Sequence, residues 1–404
     1  MLDLRSGVPY WLIKNGLPYS YPKLRQSIKT DVVILGGGIS GALCSWYLTH
    51  AGIENVVIDA RSIGLGSTSA STGLLQYEID TPLVRLAEIT GRTNAVRAYL
   101  LGVDAIDQLA DIASQVGYKD FIRKPSLYYA ALKTDIDFLK SEFAIRDQSG
   151  IEVEFLSGND IQKDYGFKSE GAILSSQAAQ VDPYGFTHAI LQHVIDKGTT
   201  VYDRSPVDNI QEKRDGVNLK TKQGVMIRAK KIVYANGYEV SKMLSKKIVS
   251  LHSTYASISE NPDTSPVYWK DNALMWSTAS PYLYLRTTTD GRLIIGGRDE
   301  NFFNPDKRDA HLKKKNEQLV KDFSKLFPHL SFLPEYSWAG TFGSTADGLP
   351  FIGAIREKPN SFFSLGFGGN GITFGLIGAR MVTDMVLGKK NPDQKLFAFD
   401  RNSV

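Results

Sequence analysis

The stretch TDVVILGGGISGALCSWYLTHAGIENVVIDA, residues 30–60, constrains the fold more than any other part of the chain. An apolar, β-rich run from Val32 to Leu35 leads into a glycine turn. A helical pattern then ends near Gly52, and a second apolar run follows from Val56 to Ile58. This is a βαβ unit, and it predicts a parallel sheet with flanking helices. Within it, Gly36, Gly38 and Gly41 fit the spacing G-x-G-x-x-G. The first permits a tight turn, the second lets backbone amides approach a pyrophosphate, and the third allows close helix–strand packing. Ile39 and Ser40 stand at the N-terminus of the helix, whose positive dipole end faces the phosphates. Asp59 closes the second strand 18 residues after Gly41, where an acid accepts hydrogen bonds from ribose hydroxyls. Together these features predict a dinucleotide site without saying which dinucleotide.

At 404 residues, 42% hydrophobic and 22% charged, the chain is long enough for two domains. The net charge of +4 comes from 47 basic and 43 acidic residues spread along the sequence, so no nucleic-acid face is expected. Lys313, Lys314 and Lys315 read as a solvated helix face. The single cysteine, Cys44, excludes an internal disulfide, and the opening MLDLRSGVPYWLIKNG lacks the long apolar core of a signal peptide. A reducing, cytoplasmic setting is therefore expected. No apolar run is long enough to span a bilayer, which leaves a peripheral membrane contact open. The six histidines show no metal-ligand spacing, so no metal is expected; His188 and His193 read as helix packing or surface residues.

Beyond Asp59, the chain runs through Ala60 and Arg61 into a segment of almost only Gly, Ser, Thr and Ala. There Gly66, Ser67, Thr68, Ser69, Thr72 and Gly73 either line a second stretch of an extended ligand or form a polar loop. A second glycine-rich run, LGFGGNGITFG, lies at 365–375. Asp182 followed by Pro183 reads as a helix start, and Gly198 as that helix's end. Asp347, in STADGLP, reads as turn chemistry.

Taken in order, these stretches resemble the flavin-dependent amine and amino-acid oxidoreductases of the D-amino-acid oxidase, glycine oxidase and sarcosine oxidase superfamily. The resemblance covers nearly the whole chain. It rests on DVVILGGGISG with Asp59, GSTSASTGLL, QVDPYGF, VYANGYE, DGRLIIGG, WAGTFGSTADGLPFIG and LGFGGNGITFG. The opening PYWLIKNGLPYSYPKL is also similar to the N-terminal extension of a subgroup in which some members carry a C-terminal Rieske domain; none is expected here.

The resemblance implies a Rossmann-like FAD domain, α/β, with an α+β substrate domain of sheet and helices. The FAD domain would comprise 1–84, 170–250 and 336–404, and the substrate domain 85–169 and 251–335. It implies that Gly368, Gly369, Asn370, Gly371, Ile372 and Thr373 pack against the reactive part of FAD, and that Val207, Asn236 and Gly237 also lie near the cofactor. In that family a neutral amine passes hydride from its α-carbon to flavin N5, and water hydrolyses the resulting imine. His252, Thr254 and Tyr255 would face the pocket. Tyr282, Tyr284 and Arg286 would share one strand face, with the rings placed to bind a substrate cation or simply to pack against the neighbouring domain.

Four positions depart from the family's better-known members. Gly340 stands where sarcosine oxidases attach the flavin to a cysteine, which implies non-covalent FAD. Ile294 replaces a lysine that assists reaction with oxygen, so the electron acceptor stays unknown and slow reoxidation by oxygen is expected. Phe342 replaces a glycine-oxidase arginine, and Thr373 a sarcosine-oxidase lysine, both of which hold the substrate carboxylate. The resemblance implies oxidation of the C–N bond of an amine or N-substituted amino acid, and these two losses favour an amine or N-substituted amine whose charge lies elsewhere, with Arg286 and Arg298 as the remaining candidates for a carboxylate partner. An NAD(P)-dependent dehydrogenase and a non-catalytic flavoprotein subunit remain as alternatives.

Overall fold

In the first of two sheets, the strand Ile28–Leu35 runs parallel to Asn55–Ile58 on one side and to Met226–Tyr234 on the other. Thr200–Tyr202 and Lys358–Leu365 extend this parallel core outward, and Phe351–Ile355 closes one edge antiparallel to Lys358–Leu365. Val207–Lys213 and Gly216–Thr221 add an antiparallel meander on Met226–Tyr234. Residues 32–35 and 55–58 are all buried: Val32, Ile34 and Val57 pack under helices that include Ile39–His50 and Gly371–Val386, while Val33, Leu35, Val56 and Ile58 face the side covered by the meander. The helix Ile39–His50 packs between Pro183–Asp196 and Gly371–Val386. A computed structural model of the chain supplies this description for residues 2–239, 248–264, 266–401 and 403.

The second sheet has ten strands, led by Arg5–Gly7, Pro334–Ser344, Ser250–Ser259, Leu293–Glu300 and Tyr284–Thr287. It continues through Leu274–Ser277, Ile122–Tyr129, Gly171–Gln180 and Leu74–Leu75, with Val153–Ser157 on Gly171–Gln180. Every pairing in it is antiparallel except that of Leu274–Ser277 with Ile122–Tyr129. The 22-residue helix Pro305–Leu326 backs this sheet, presenting Leu319 and Phe323 to its core. The fold is mixed α/β, with a Rossmann-like sheet joined to a strand-rich partner.

Sheet membership changes at other positions than the spans read from sequence. Arg5–Gly7, Leu74–Leu75, Gly171–Gln180 and most of Pro334–Ser344 fall within 1–84, 170–250 or 336–404, yet all four belong to the second sheet. Residue patterning marks a strand but not the sheet it joins. Residues 1, 240–247, 402 and 404 of those spans lie outside the described residues.

The scaffold residues behave as their chemistry dictates. Asp182 caps Pro183–Asp196, its Oδ1 accepting from the amides of Tyr184 and Gly185 at 3.0 Å each. On that helix His188 is buried against Tyr21, pushed down to about 4 by desolvation, and is not on the lining of the cavity described below. Asp347 accepts a bidentate pair from Arg401 at 2.7 and 2.8 Å, which ties the C-terminal segment to the turn before Phe351.

Candidate active site

The strand Ile28–Leu35 ends against Ala235, and the turn that follows leaves no room for side chains. Gly36 has φ +111°, and a Cβ there would lie 2.4 Å from Ala235 O. A Cβ on Gly41 would lie 1.8 Å from Gly36 O, so this glycine lets the first turn of the helix sit on the strand end. Ile39 N donates to Thr68 Oγ1 at 3.1 Å, which leaves other amides of the helix start open to a ligand. Asp59 holds the turn from the next strand, Oδ2 accepting from Gly37 N at 2.6 Å and Oδ1 from Arg61 N at 2.7 Å. Burial pushes its carboxyl up from the usual range, while those two amides pull it down.

These elements form one end of a cavity of about 470 Å³. Gly36, Gly38, Ile39, Ser40, Asp59, Ala60 and Arg61 line it, joined by Gly66, Ser67, Thr68 and Thr72 from the small-residue segment. Val207, Asn236 and Gly237 form its side, and Gly340, Gly368, Gly369, Gly371 and Ile372 continue to the far end. Five residues expected at the cofactor do not line the cavity. Gly41 is spent on helix packing, and Gly73, with φ +69°, lies against Val181 O. Ser69 turns its hydroxyl to Gly66 O, Thr373 to Asn370 O, and Asn370 donates to Gln76 O and Glu78 O at 3.2 and 2.7 Å. Asn370 thus fixes the second glycine run to the segment after Leu75.

Of the residues expected to face substrate, Thr254, Tyr284 and Phe342 line the far end. The other three do not. Tyr255 points to the opposite face of its strand and donates to Glu300 Oε2 at 2.8 Å. His252 sits behind Phe342 between Asn301 and Ser344, with contacts of 3.1 and 2.7 Å. Arg286 is 2% exposed, and its Nη1 donates to Thr72 O, Gly73 O and Val181 O within 3.0 Å. Strand alternation put it on the face of Tyr284, but three converging carbonyls absorb its guanidinium. Arg298 is paired with Asp322. Ile294 is fully buried beside Trp11 and Trp338.

Sequence reading missed several wall residues. Leu2 and Leu4 cover the Asp59 end, where Glu239 Oε1 accepts from Leu2 N at 2.8 Å and from Arg61 Nη2 at 2.7 Å. Gln76 and Asp299 also line the cavity, and Asp80 bridges Gly369 N and the Tyr282 hydroxyl at 2.7 and 3.0 Å.

The cavity fits an extended, polar, two-ended ligand. Side chains at Gly66, Gly237 and Gly371 would meet no protein atom within 4 Å, so at these three points the wall is cut back to backbone. Ser67 Oγ, Gln76 Nε2, Asn236 Oδ1 and Asp299 Oδ1 are buried on the lining without a hydrogen-bond partner, as donors and acceptors kept for a ligand would be. The model of the family described as FAD dependent oxidoreductase matches residues 31–385.

The chain belongs to that family. It is an FAD-dependent oxidoreductase, which decides between the dinucleotides that the βαβ unit left open. Among relatives, YhfW of Bacillus subtilis, named as a Rieske 2Fe-2S iron-sulfur protein, is 24% identical over 97% of this chain and 75% of its own. Gamma-glutamylputrescine oxidoreductase of Escherichia coli is 23% identical over 91% of this chain and 86% of its own. The solved structure of glycine oxidase from Geobacillus kaustophilus superposes with a TM-score of 0.78 at 20% identity, over 93% of this chain and 99% of that one. Among the described residues, no helix is long and apolar enough to cross a membrane.

Proposed function

We propose that this FAD-dependent oxidoreductase oxidises the C–N bond of an amine or N-substituted amine that carries no carboxylate on the reacting carbon. The carrying observation is the charge of the far end of the cavity. Among the described residues, Arg61 is the one cationic side chain on the whole lining, and it lies at the Asp59 end, held by Glu239 and Leu2 O. Phe342 contributes a ring where a guanidinium would be needed, and Thr373, Arg286 and Arg298 are engaged elsewhere. A substrate carboxylate at that end would be desolvated without a partner, at a cost of about 2 kcal/mol or more. Among the relatives, gamma-glutamylputrescine oxidoreductase is named for an amine and three are glycine oxidases, so the family accommodates both kinds of name.

The turn Gly36–Gly41 and the N-terminus of Ile39–His50 would hold the pyrophosphate, and Asp59 the ribose, while Gly368–Ile372 would lie along the reactive end. FAD held there would supply the acceptor for the hydride that leaves the α-carbon of the neutral amine, and water would hydrolyse the resulting imine. The protein's part is to position the amine: Thr254, Tyr284 and Phe342 shape the end of the cavity, and Leu2 and Leu4 help to exclude water from the other. Non-covalent attachment is supported by Gly340 on the lining and by Cys44, buried in the helix Ile39–His50 with its thiol pushed up to about 12 by desolvation. The two sheets suggest the two domains, with Gly171–Gln180 and Pro334–Ser344 on the substrate side. The lone cysteine supports a cytoplasmic setting.

Steady-state assays with an artificial electron acceptor test this reading. Primary and secondary amines are expected to saturate the enzyme. Turnover of glycine, sarcosine, D-alanine or D-proline above every amine would reject it.

A further inference from the structure

We propose that Asp299 is the carboxylate that receives the positively charged nitrogen of the ligand, which makes the far end of the cavity an ammonium site; as a statement about substrates this rests on the amine reading above.

The local backbone is built to deliver this one side chain. Ser250–Ser259 pairs with Leu293–Glu300 in register from Ile258↔Ile294 to Tyr255↔Gly297, and then resumes at Ser253↔Glu300. Arg298 and Asp299 therefore both oppose Thr254. This is a β-bulge, which re-aims a side chain at the cost of a ladder interruption. Gly297 and Arg298 turn the chain with φ +132° and +59°. The left-handed conformation at a non-glycine residue persists only where surroundings enforce it. Here Asp322 grips the Arg298 guanidinium with contacts of 2.6 and 2.5 Å, and Lys315 Nζ donates to Arg298 O at 2.9 Å. Arg298 is held outside the cavity, and its neighbour Asp299 lines it.

The surroundings specify a cation. Asp299 Oδ1 is buried without a hydrogen-bond partner. Thr254 supplies a hydrogen bond to the carboxyl group, but a buried oxygen left without a donor is costly unless something completes it. Beside it the Tyr284 ring lies so close over Gly296 that a Cβ there would come within 2.2 Å of the ring, which leaves an aromatic surface on the cavity wall. Tyr282 adds a second ring, its hydroxyl committed to Asp80. An acid and two aromatic rings, with no basic side chain on the lining at this end, form an environment for an ammonium group.

The groups facing Asp299 act in a consistent direction. Burial pushes its carboxyl up to about 6; Thr254 and Lys315 pull it down, and Asp80 pushes it further up. Tyr282 and Tyr284 are both raised by burial and stay neutral. Above about pH 6 the carboxylate is ionised and available to a cation; as the pH falls through that value, affinity for the cation is lost.

The test uses the FAD-loaded protein and tert-butylamine, which has no hydrogen on the carbon bearing nitrogen and cannot be oxidised. Its binding, read from perturbation of the flavin absorption band, is expected to weaken by roughly tenfold or more in Asp299→Asn. The loss of affinity on acidification should disappear in that variant. Asp299→Glu should keep measurable binding, and FAD content should be unchanged in both. Pivalate, the matching carboxylate, should not bind the wild type. Equal affinity of wild type and Asp299→Asn for tert-butylamine, or tighter binding of pivalate, would overturn the assignment. Binding of tert-butylamine with no amine able to reduce the flavin would reject the proposed oxidation while leaving the ammonium site standing.

Discussion

The two ends of the cavity are built in different ways. The Asp59 end is made mainly of backbone and small side chains from one short stretch, residues 36–72, with Val207 and Asn236 at its side. The far end takes Thr254, Tyr284, Asp299, Phe342 and Gly369 from five separate segments, and most of its wall is side chain. A site made of backbone needs only the right local turn, so it can be common to a family with many substrates. A site made of converging side chains depends on strand register, and changing one residue on it changes what it accepts.

The largest expected effect comes from a residue that looks as if it belongs to the far end and does not. Arg286→Met leaves the carbonyls of Thr72, Gly73 and Val181 without their donor, and should cost about 3 kcal/mol or more of stability. Thermal unfolding should show that loss, while the ranking of amine over amino-acid substrates stays as in the wild type. A reversal of that ranking would place Arg286 in the substrate site and break the contrast. Next, Gly41→Ala forces a Cβ against Gly36 O and should cost about 1–3 kcal/mol, with weaker retention of FAD, as measured by flavin content after gel filtration. Asp59→Ala is expected to weaken FAD binding by about 1.5–3 kcal/mol, since it removes both the proposed ribose acceptor and the partner of Gly37 N and Arg61 N. Titration of the apoprotein with FAD checks this, and an unchanged dissociation constant would contradict the role given to the Asp59 end. The smallest effect is none at all: acid precipitation should release every flavin into the supernatant, and yellow colour in the washed pellet would show a covalent link.

How much of this was legible follows the same division. The βαβ unit, the turn at Gly36 and the acid at Asp59 could be read because glycine spacing and strand pattern are local signals. LGFGGNGITFG was legible as a motif, but not the detail that Asn370 braces it against Gln76 and Glu78. At the far end, Tyr284 was found through alternation along its strand, and Thr254 only through the family resemblance. The same alternation wrongly brought in Arg286, because it cannot tell a side chain that lines a cavity from one that fills a gap between carbonyls. Tyr255 was lost to the opposite strand face and His252 to a place behind Phe342. Asp299 was invisible because a bulge at Arg298 breaks the period on which strand reading depends. Leu2 and Leu4 reach the cavity only because Arg5–Gly7 pairs with Trp338–Gly340, a contact across more than three hundred residues.

The central claim is that FAD at the backbone-built end meets an amine without an α-carboxylate at the other. Anaerobic mixing of the oxidised protein with matched pairs, each an amine and the α-amino acid that differs from it only by a carboxylate on the reacting carbon, measures this directly through the loss of flavin absorbance. The account predicts that in some pair the amine reduces the flavin in a saturable, single-turnover reaction, and that in no pair does the amino acid do so faster. Faster saturable reduction by the amino-acid member of the pairs would contradict it.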